Sequence, residues 1–207
     1  VEAPVGDAFW TNLSNWIDEH LMPAFLDRVI GQVDEIVEID PELPDTQILE
    51  IVTQRMVGAL EARAGSVRIY DPHTEQLLSQ GSFPFEESNR ESSIPQKGSI
   101  AGEVVATQQP VAVSDLMADD RYRNKRVIQE RGVHSMIAVP LEVTRFYPRE
   151  PDTVGVIQLY FPEKGRQFKP VEIQFATLMA KRLSLVIARK KILALRRTAE
   201  KKESVVQ

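Results

Sequence analysis

The 207-residue chain contains no cysteine, and this absence excludes several classes of protein. Disulfide scaffolds, thiolate zinc sites, cysteine nucleophiles and thioether-linked chromophores all require a cysteine sulfur. We therefore expect no thiol chemistry and no covalently attached cofactor.

Long hydrophobic runs are also missing from the chain. The longest mainly apolar runs, such as residues 136–141, fall far short of the roughly 20 residues that a membrane-spanning helix needs. The first seven residues hold neither a basic leader nor an apolar segment, which a secretory signal would require. We expect no membrane partner and a cytoplasmic location.

Basic residues are scarce in positions 1–45, which hold eleven acids and only Arg28 as a base. Residues 181–207 show the opposite balance, with nine bases and two acids. A basic end can indicate nucleic-acid binding, but this one lacks interleaved aromatic residues and a second reading element. We regard nucleic acid as an unlikely partner and expect the acidic and basic ends to lie side by side, within one chain or across a dimer.

The composition, 43% hydrophobic and 27% charged, is typical of a chain that forms a core. Apolar residues recur three and four positions apart through residues 9–37, which predicts helix, with a break near His20 to Pro23 because proline removes an amide donor. Residues 40–45 read as a linker. The rest of the chain predicts, in order, a helix from Asp45 or Thr46 ending at Gly65, strands 66–70 and 75–83, a surface loop 84–95, a short helix 97–107, a strand 111–113, a helix continuing from the charged segment 119–126 to Gly132, strands 135–143 and 154–161 around a loop 148–152, and a helix from Val171 towards Glu203.

This order predicts an α+β fold in which an antiparallel sheet is sandwiched between helices, with long helices at both ends. Strands 135–143 and 154–161 are apolar on both faces, so we place them in the middle of the sheet. Pro140 interrupts the first of these strands, and we expect a bulge or a sheet edge there because proline cannot donate to the ladder.

The C-terminal helix carries two apolar stripes. At about 30 residues it would span roughly 45 Å, longer than a compact domain of this size. One stripe can cover the sheet while the other remains free for a partner, so the helix predicts a homodimer. The first stripe is Ala176, Met179, Leu183, Val186 and Leu193, and the second is Leu178, Leu185, Ala188, Ile192, Leu195 and Ala199.

A string of motifs in this order resembles the GAF domain family over about residues 46–190. The motifs are Lys97-Gly-Ser-Ile-Ala-Gly-Glu-Val-Val-Ala-Thr-Gln-Gln-Pro-Val-Ala-Val-Ser-Asp, Asp120-Arg-Tyr, His134-Ser-Met-Ile-Ala-Val-Pro-Leu, Gly155-Val-Ile-Gln-Leu, Phe168 and Glu172. We accordingly divide the chain into an N-terminal helical segment 1–44, a GAF domain 45–190 and an overlapping C-terminal signalling or coiled-coil helix 176–207.

The resemblance implies a regulatory sensor with a small-molecule pocket, whose terminal helices form a parallel dimer and relay changes to an output domain outside this chain. Plain packing or a surface salt bridge is the alternative role for each candidate wall residue. The candidate ligand-binding residues are Arg68, Tyr70, Phe83, Asp115, Arg121, Tyr122, Val127, Met136, Gln158 and Tyr160.

The ligand stays open. Cyclic-nucleotide-binding GAF domains carry an Asn-Lys pair and an Asp-Glu pair where this chain has Phe161-Pro162 and Glu172-Ile173, which disfavours a cyclic nucleotide. Relatives that reduce methionine sulfoxide use cysteines, and no other catalytic motif or metal-ligand spacing is present, so we predict no catalytic residues and no metal site. His134 alone could serve a haem or metal. The alternative function is a structural dimerisation module with a pocket filled by side chains.

Overall fold

A computed structural model describes residues 7–84, 93–143 and 153–206 of the chain. The predicted loop 148–152 and most of the predicted loop 84–95 lie outside these residues. The helices are α1 (Asp7–Trp16), a π-helical turn (Ile17–Leu21), α2 (Met22–Val37), α3 (Asp45–Ala59), α4 (Ile100–Thr107), α5 (Lys125–Arg131) and α6 (Pro170–Val206). The strands are β1 (Ala64–Asp71), β2 (Gln76–Phe83), β3 (Ser93–Pro95), β4 (Val111–Val113), β5 (Ser135–Val143) and β6 (Thr153–Phe161).

The N-terminal segment is helical with an irregular centre, as the sequence predicts. The regular α-helix gives way to a π-helical turn at Ile17–Leu21 and resumes at Met22, so that Pro23 falls in the first turn of α2. A proline there loses no intrahelical hydrogen bond, which is why the break precedes it. His20 stacks on Trp16 with ring centroids 5.5 Å apart inside this turn.

The six strands form one antiparallel sheet in the order β3-β2-β1-β6-β5-β4, which confirms the predicted α+β fold. The strands β5 and β6 pair over their whole lengths, from Ser135 opposite Phe161 to Val143 opposite Thr153. The edge strand β4 pairs only with residues 136–138 of β5. Pro140 therefore lies on a free edge of β5, where the missing amide donor costs no ladder bond, and the expected edge is confirmed.

Two apolar cores cover the two faces of the sheet. Odd-numbered residues of the central strands, such as Ile137 and Leu159, pack against α2, α3 and α6. Even-numbered residues, such as Met136 and Tyr160, pack beneath α4 and the segment around α5. The N-terminal segment shares the first core, because Val33 on α2 is buried there.

The 37-residue helix α6 divides its two stripes as predicted. The stripe of Ala176, Met179, Leu183 and Val186 is buried against the sheet. On the other stripe Leu185 and Ile192 are 54% and 38% exposed. The side chains of Leu195 and Ala199 lie outside the described part of the chain. At 1.5 Å per residue, a helix of this length spans about 55 Å.

Several local boundaries differ from the sequence predictions, and α4 begins at Ile100 instead of residue 97. Helix α3 ends at Ala59, and Gly65 belongs to β1 instead of ending the helix. A Cβ at Gly65 would lie 2.8 Å from the Thr53 side chain, so the glycine lets β1 pass close beneath α3. The segment 93–95, predicted as a loop, forms β3 beside β2. Helix α5 begins only at Lys125, and the Asn124 side chain caps it by accepting a hydrogen bond from the Val127 amide.

Candidate functional site

The candidate site lies on the even-numbered face of the sheet. Gln158 on β6 faces Ser66 on β1 and Ala138 on β5 across the ladder. Arg68 lies two residues further along β1, which makes it a diagonal neighbour of Gln158 on the same face. Strand alternation thus brings a guanidinium and an amide together under the helical layer.

A cavity of about 170 Å³ opens above these side chains. Its floor is the central sheet, and its walls come from β3, the first residues of α4 and the segment just before α5. The lining residues are Arg68, Ser93, Ile94, Pro95, Ser99, Ile100, Ala101, Arg121, Tyr122, Arg123, Asn124, Gln158 and Tyr160.

The start of α4 is held firmly at the cavity wall. The Ser99 hydroxyl accepts a hydrogen bond from the Gly102 amide at 3.0 Å and donates one to the Pro95 carbonyl at 2.7 Å. A Cβ on Gly102 would lie 1.7 Å from the carbonyl oxygen of Gln96, so only glycine fits there. This geometry accounts for Gly102 in the Lys97-Gly-Ser-Ile-Ala-Gly motif, and the residues Ser99, Ile100 and Ala101 at the start of α4 line the cavity.

Two arginines of the cavity have different electrostatic surroundings. Arg121 binds the carboxylates of Asp119 and Glu103, with 2.9 Å between its Nε and an Asp119 oxygen. These contacts raise the pKa of Arg121, and the hydrogen bond from Arg121 lowers the pKa of Asp119 against the opposing effect of burial. Arg68, by contrast, is only 7% exposed, and its Nη1 donates to the Leu77 carbonyl at 3.5 Å.

Gln158 is a polar group of the cavity whose hydrogen-bonding capacity is left largely unused. It is 3% exposed, its Nε2 lies 3.5 Å from the Met136 sulfur, and its Oε1 has no hydrogen-bond partner among the described residues. Whichever way the amide is turned, one polar atom meets a thioether, which is a weak partner, and the other meets none. A buried amide left in this state costs about 1–3 kcal/mol.

The structure brings half of the predicted site residues to the cavity wall: Arg68, Arg121, Tyr122, Gln158 and Tyr160. Val127 lines a smaller void of about 20 Å³ next to it, and Met136 contacts Gln158 from below. The rings of Tyr122 and Tyr160 meet edge to face with centroids 6.5 Å apart.

Three predicted site residues lie away from the cavity. Tyr70 is on the same sheet face but packs against the second core without lining the cavity. Phe83 packs against the first core, on the opposite face of the sheet, because β-strand alternation turns it there. Asp115 lies outside the cavity, with a carboxylate oxygen 3.5 Å from the Lys164 ammonium. Desolvation raises the pKa of Asp115, but the hydrogen bond from the Met117 amide and the charge of Lys164 together lower it by more, so the net shift is downward.

Sequence reasoning missed the part of the wall that comes from β3, from the start of α4 and from Arg123. The sequence predicts a loop at residues 93–95, because no periodicity marks a three-residue strand. Ser99 and Asn124 did carry a signal, because each is a side-chain cap of a helix that begins at the cavity.

Two motif residues, Phe168 and Glu172, lie on the other face of the sheet and anchor α6. The Phe168 ring meets Phe161 at 5.2 Å, and the Arg166 guanidinium lies 4.3 Å above the Phe161 ring. Glu172 accepts hydrogen bonds from Arg166 and from the Lys169 amide, both at 2.7 Å, in the manner of a capping box. Desolvation raises the pKa of Glu172, but these two contacts together outweigh it, and the net shift is downward.

The described residues give no support for a metal. Among them, no three His, Asp or Glu side chains are grouped closely enough to hold an ion. His134 stands alone at the start of β5, and its Nδ1 is buried without a hydrogen-bond partner. Of the helices in the described ranges, none is both long enough and apolar enough to pass through a bilayer.

The antiparallel sheet between two helical layers, with a cavity beneath the short helices on one face, defines the class of this protein as an α+β domain. A GAF domain family model matches residues 42–188, which is most of the chain. This protein therefore belongs to the GAF domain family, whose members are sensory and regulatory modules.

Solved structures agree with this fold at low sequence identity. A GAF domain from a phosphoenolpyruvate-protein phosphotransferase of Coxiella burnetii is 18% identical, with a TM-score of 0.65, over 81% of this chain and 95% of that one. A free methionine-R-sulfoxide reductase of Neisseria meningitidis in complex with its substrate is 18% identical, with a TM-score of 0.59, over 79% and 89%. The phycocyanobilin-bound GAF domain of a cyanobacterial phytochrome is 14% identical, with a TM-score of 0.59, over 79% and 96%. A comparison with curated protein sequences finds no match.

Proposed function

We propose that this protein is a non-enzymatic, cytoplasmic GAF sensor that binds a small molecule in the cavity and regulates an output domain outside this chain. The observation that carries the proposal is Gln158, a buried amide in the lining of the cavity whose oxygen has no hydrogen-bond partner among the described residues. Two similar structures, the reductase and the phytochrome domain, hold a small molecule, which supports ligand binding as a use of this fold. We expect no attachment of the ligand through a thioether, because the chain has no cysteine.

The paired strands β6 and β5 connect the cavity to the long helix. Gln158 projects into the cavity, and its neighbours Ile157 and Leu159 project to the opposite face, into the core shared with Met179 and Leu183 of α6. Helix α6 lies on β5, which pairs with β6 along its whole length, and close packing transmits small displacements of this strand pair to the helix. A ligand acts through this contact only by binding two arrangements of α6 with different affinities.

The exposed stripe of α6 supports dimerisation. Leu185 and Ile192 are one heptad apart and exposed, and Leu178, one heptad before Leu185, is half-buried. We propose that this stripe pairs with the same stripe of a second chain. Because surface ion pairs add only about 0–1 kcal/mol each, the apolar stripe supplies the affinity and the charges supply the register.

Ligand binding is tested by native mass spectrometry of freshly purified protein and by a thermal-shift screen with metabolites. We expect a retained or stabilising small molecule. Ser93→Trp, at an exposed position on the cavity wall, should abolish the effect by filling the cavity. Gln54→Trp, at an exposed position of α3, is the matched control and should leave it unchanged.

The alternative is a structural dimerisation module whose cavity never holds a ligand, and the exposed α6 stripe is compatible with it. Under this alternative no compound in the screen stabilises the protein, and Ser93→Trp behaves like Gln54→Trp. Those two results together would replace the sensor proposal.

A further inference from the structure

Helices α2 and α6 lie side by side and run in the same direction. Val29 of α2 lines a cavity together with Val171 and Phe175 from the start of α6. Further along, the Lys190 ammonium of α6 lies 2.6 Å from a carboxylate oxygen of Asp45, just after the linker that follows α2. The chain order is therefore the same along both helices, and the part of α6 after Lys190 extends beyond the linker.

The two helices carry opposite charges. Residues 17–37, which cover the π-helical turn and α2, hold five acids and one base; we call them the acidic α2 segment. Residues 189–206, the last part of α6, hold seven bases and two acids; we call them the basic α6 end. Within one chain Lys190 pairs with Asp45 where the basic α6 end begins. The rest of the basic α6 end lies past the acidic α2 segment of its own chain.

Exposed side chains on both helices are available to a second chain. On α6 Leu185 and Ile192 form the exposed stripe, and on α2 Ile30 is 54% exposed. Asp27 and Asp34 on α2 are exposed as well. Because α2 packs beside α6, a partner helix on the exposed α6 stripe passes close to the acidic α2 segment.

The two ways of pairing the α6 stripes place different charges side by side. In a parallel pair the basic α6 end lies beside the basic α6 end of the partner, and like charges oppose the contact. In an antiparallel pair around a two-fold axis near Leu185, position 199 of one chain lies opposite position 171 of the other, because each is about 14 residues from the axis. Val171 adjoins Val29, so the basic α6 end then runs along the acidic α2 segment of the partner.

We infer that this chain forms an antiparallel two-fold dimer, in which the basic α6 end of each chain lies along the acidic α2 segment of the other. The inference rests on the dimerisation proposed above and adds the orientation of the partner. It differs from the parallel dimer that the family resemblance implies, because it places the two α6 ends on opposite sides of the dimer.

Spin labels measure this orientation directly, because a chain without cysteine can be labelled at a single introduced site. In Thr198→Cys the label lies about 13 residues from the axis, so double electron–electron resonance on an antiparallel dimer should give a distance of roughly 40 Å. A parallel dimer places the two labels side by side, on helix axes about 8–10 Å apart. The matched control is Arg189→Cys, about four residues from the axis, which should give a short distance in either arrangement.

Charge reversal on α2 tests the contact itself. Asp27→Lys places a base beside the partner's basic α6 end, so it should weaken the dimer about three- to tenfold in analytical ultracentrifugation at low salt. This effect should fade as the salt concentration rises. Asp120→Lys makes the same change at an exposed position in the loop before α5, and it should leave the dimer affinity unchanged.

In a sample with the mass of a dimer, labels at residue 198 that lie close together would overturn the antiparallel arrangement and leave dimerisation intact. A dimer that Asp27→Lys strengthens or leaves unchanged would overturn it in the same way. The mass of a monomer in light scattering would overturn both the inference and the proposed dimerisation. Ligand binding is decided separately, by the thermal-shift screen with Ser93→Trp.

Discussion

Gly102→Ala tests how the wall of the cavity is built. A Cβ at this position would lie 1.7 Å from the Gln96 oxygen and 2.5 Å from its carbonyl carbon. Because those atoms belong to the backbone, the clash cannot be relieved by rotating a side chain, and the turn before α4 must move by about 1 Å or more. The turn is itself tied down, since Ser99 bonds to the Pro95 carbonyl and the Gln96 amide bonds to the Glu75 carbonyl at 3.1 Å.

The magnitude follows from three contributions. Overpacking costs about 1–3 kcal/mol, and weakening the hydrogen bonds of the turn costs about 1 kcal/mol each. The better helix propensity of alanine returns about 1 kcal/mol. We expect a net loss of about 2–3 kcal/mol in the free energy of unfolding, which corresponds to a melting temperature lower by about 5–10 °C for a chain of this size.

The assay is urea unfolding followed by circular dichroism, with Gly58→Ala as the matched control. Gly58 lies in α3, and a Cβ there would meet nothing within 4 Å, so the same substitution should stabilise the protein by about 0.5–1 kcal/mol. If Gly102→Ala is as stable as the unmodified chain, or gains stability as Gly58→Ala does, the close approach of Gln96 to α4 is refuted.

Three further predictions concern the dimer, the start of α6 and the central core. In light scattering, Leu185→Lys should convert a dimer into a monomer, because it places a charge in the exposed α6 stripe. The control Met117→Lys, at an exposed apolar position outside α6, should keep the dimer mass. An unchanged mass for Leu185→Lys would contradict dimerisation through the exposed α6 stripe. The pKa of Glu172 is lowered on folding, so its carboxylate stabilises the protein above about pH 4.5 and loses this effect as the pH falls further. Glu172→Gln should therefore cost about 1 kcal/mol at pH 7 and progressively less below pH 4.5, and a cost that is independent of pH would contradict the Arg166 contact. Ile137→Ala in the fully buried centre of β5 should cost about 2–5 kcal/mol in urea unfolding, and a loss below 1 kcal/mol would contradict the packing described.

The parts of the fold that follow from periodicity could be predicted from sequence. The strand β5 was predicted with the bounds that the structure has, because its apolar residues on both faces admit only a central strand. The break before Pro23 and the division of α6 into a buried and an exposed stripe follow from equally local rules. The end of α3 was misplaced, because Gly65 is required by contact with Thr53, which no local pattern records.

The cavity could be predicted only in part, for a physical reason. Arg68 and Gln158 share a parity that alternation along β1 and β6 converts into a shared face, but parity alone does not show which face encloses the cavity. Phe83 was included for that reason and packs on the opposite face. The contributions of β3 and Arg123 depend on long-range packing of loops, which sequence spacing does not encode.

The most direct test of the sensor proposal is a ¹H–¹⁵N NMR titration of the whole chain with the compound that stabilises it most in the thermal-shift screen. Binding in the cavity predicts the largest shift changes at Arg68, Tyr122 and the Gln158 side-chain amide, with smaller changes in the α6 residues that pack on β5. Shift changes confined to other surfaces, or none at saturating compound, would contradict it.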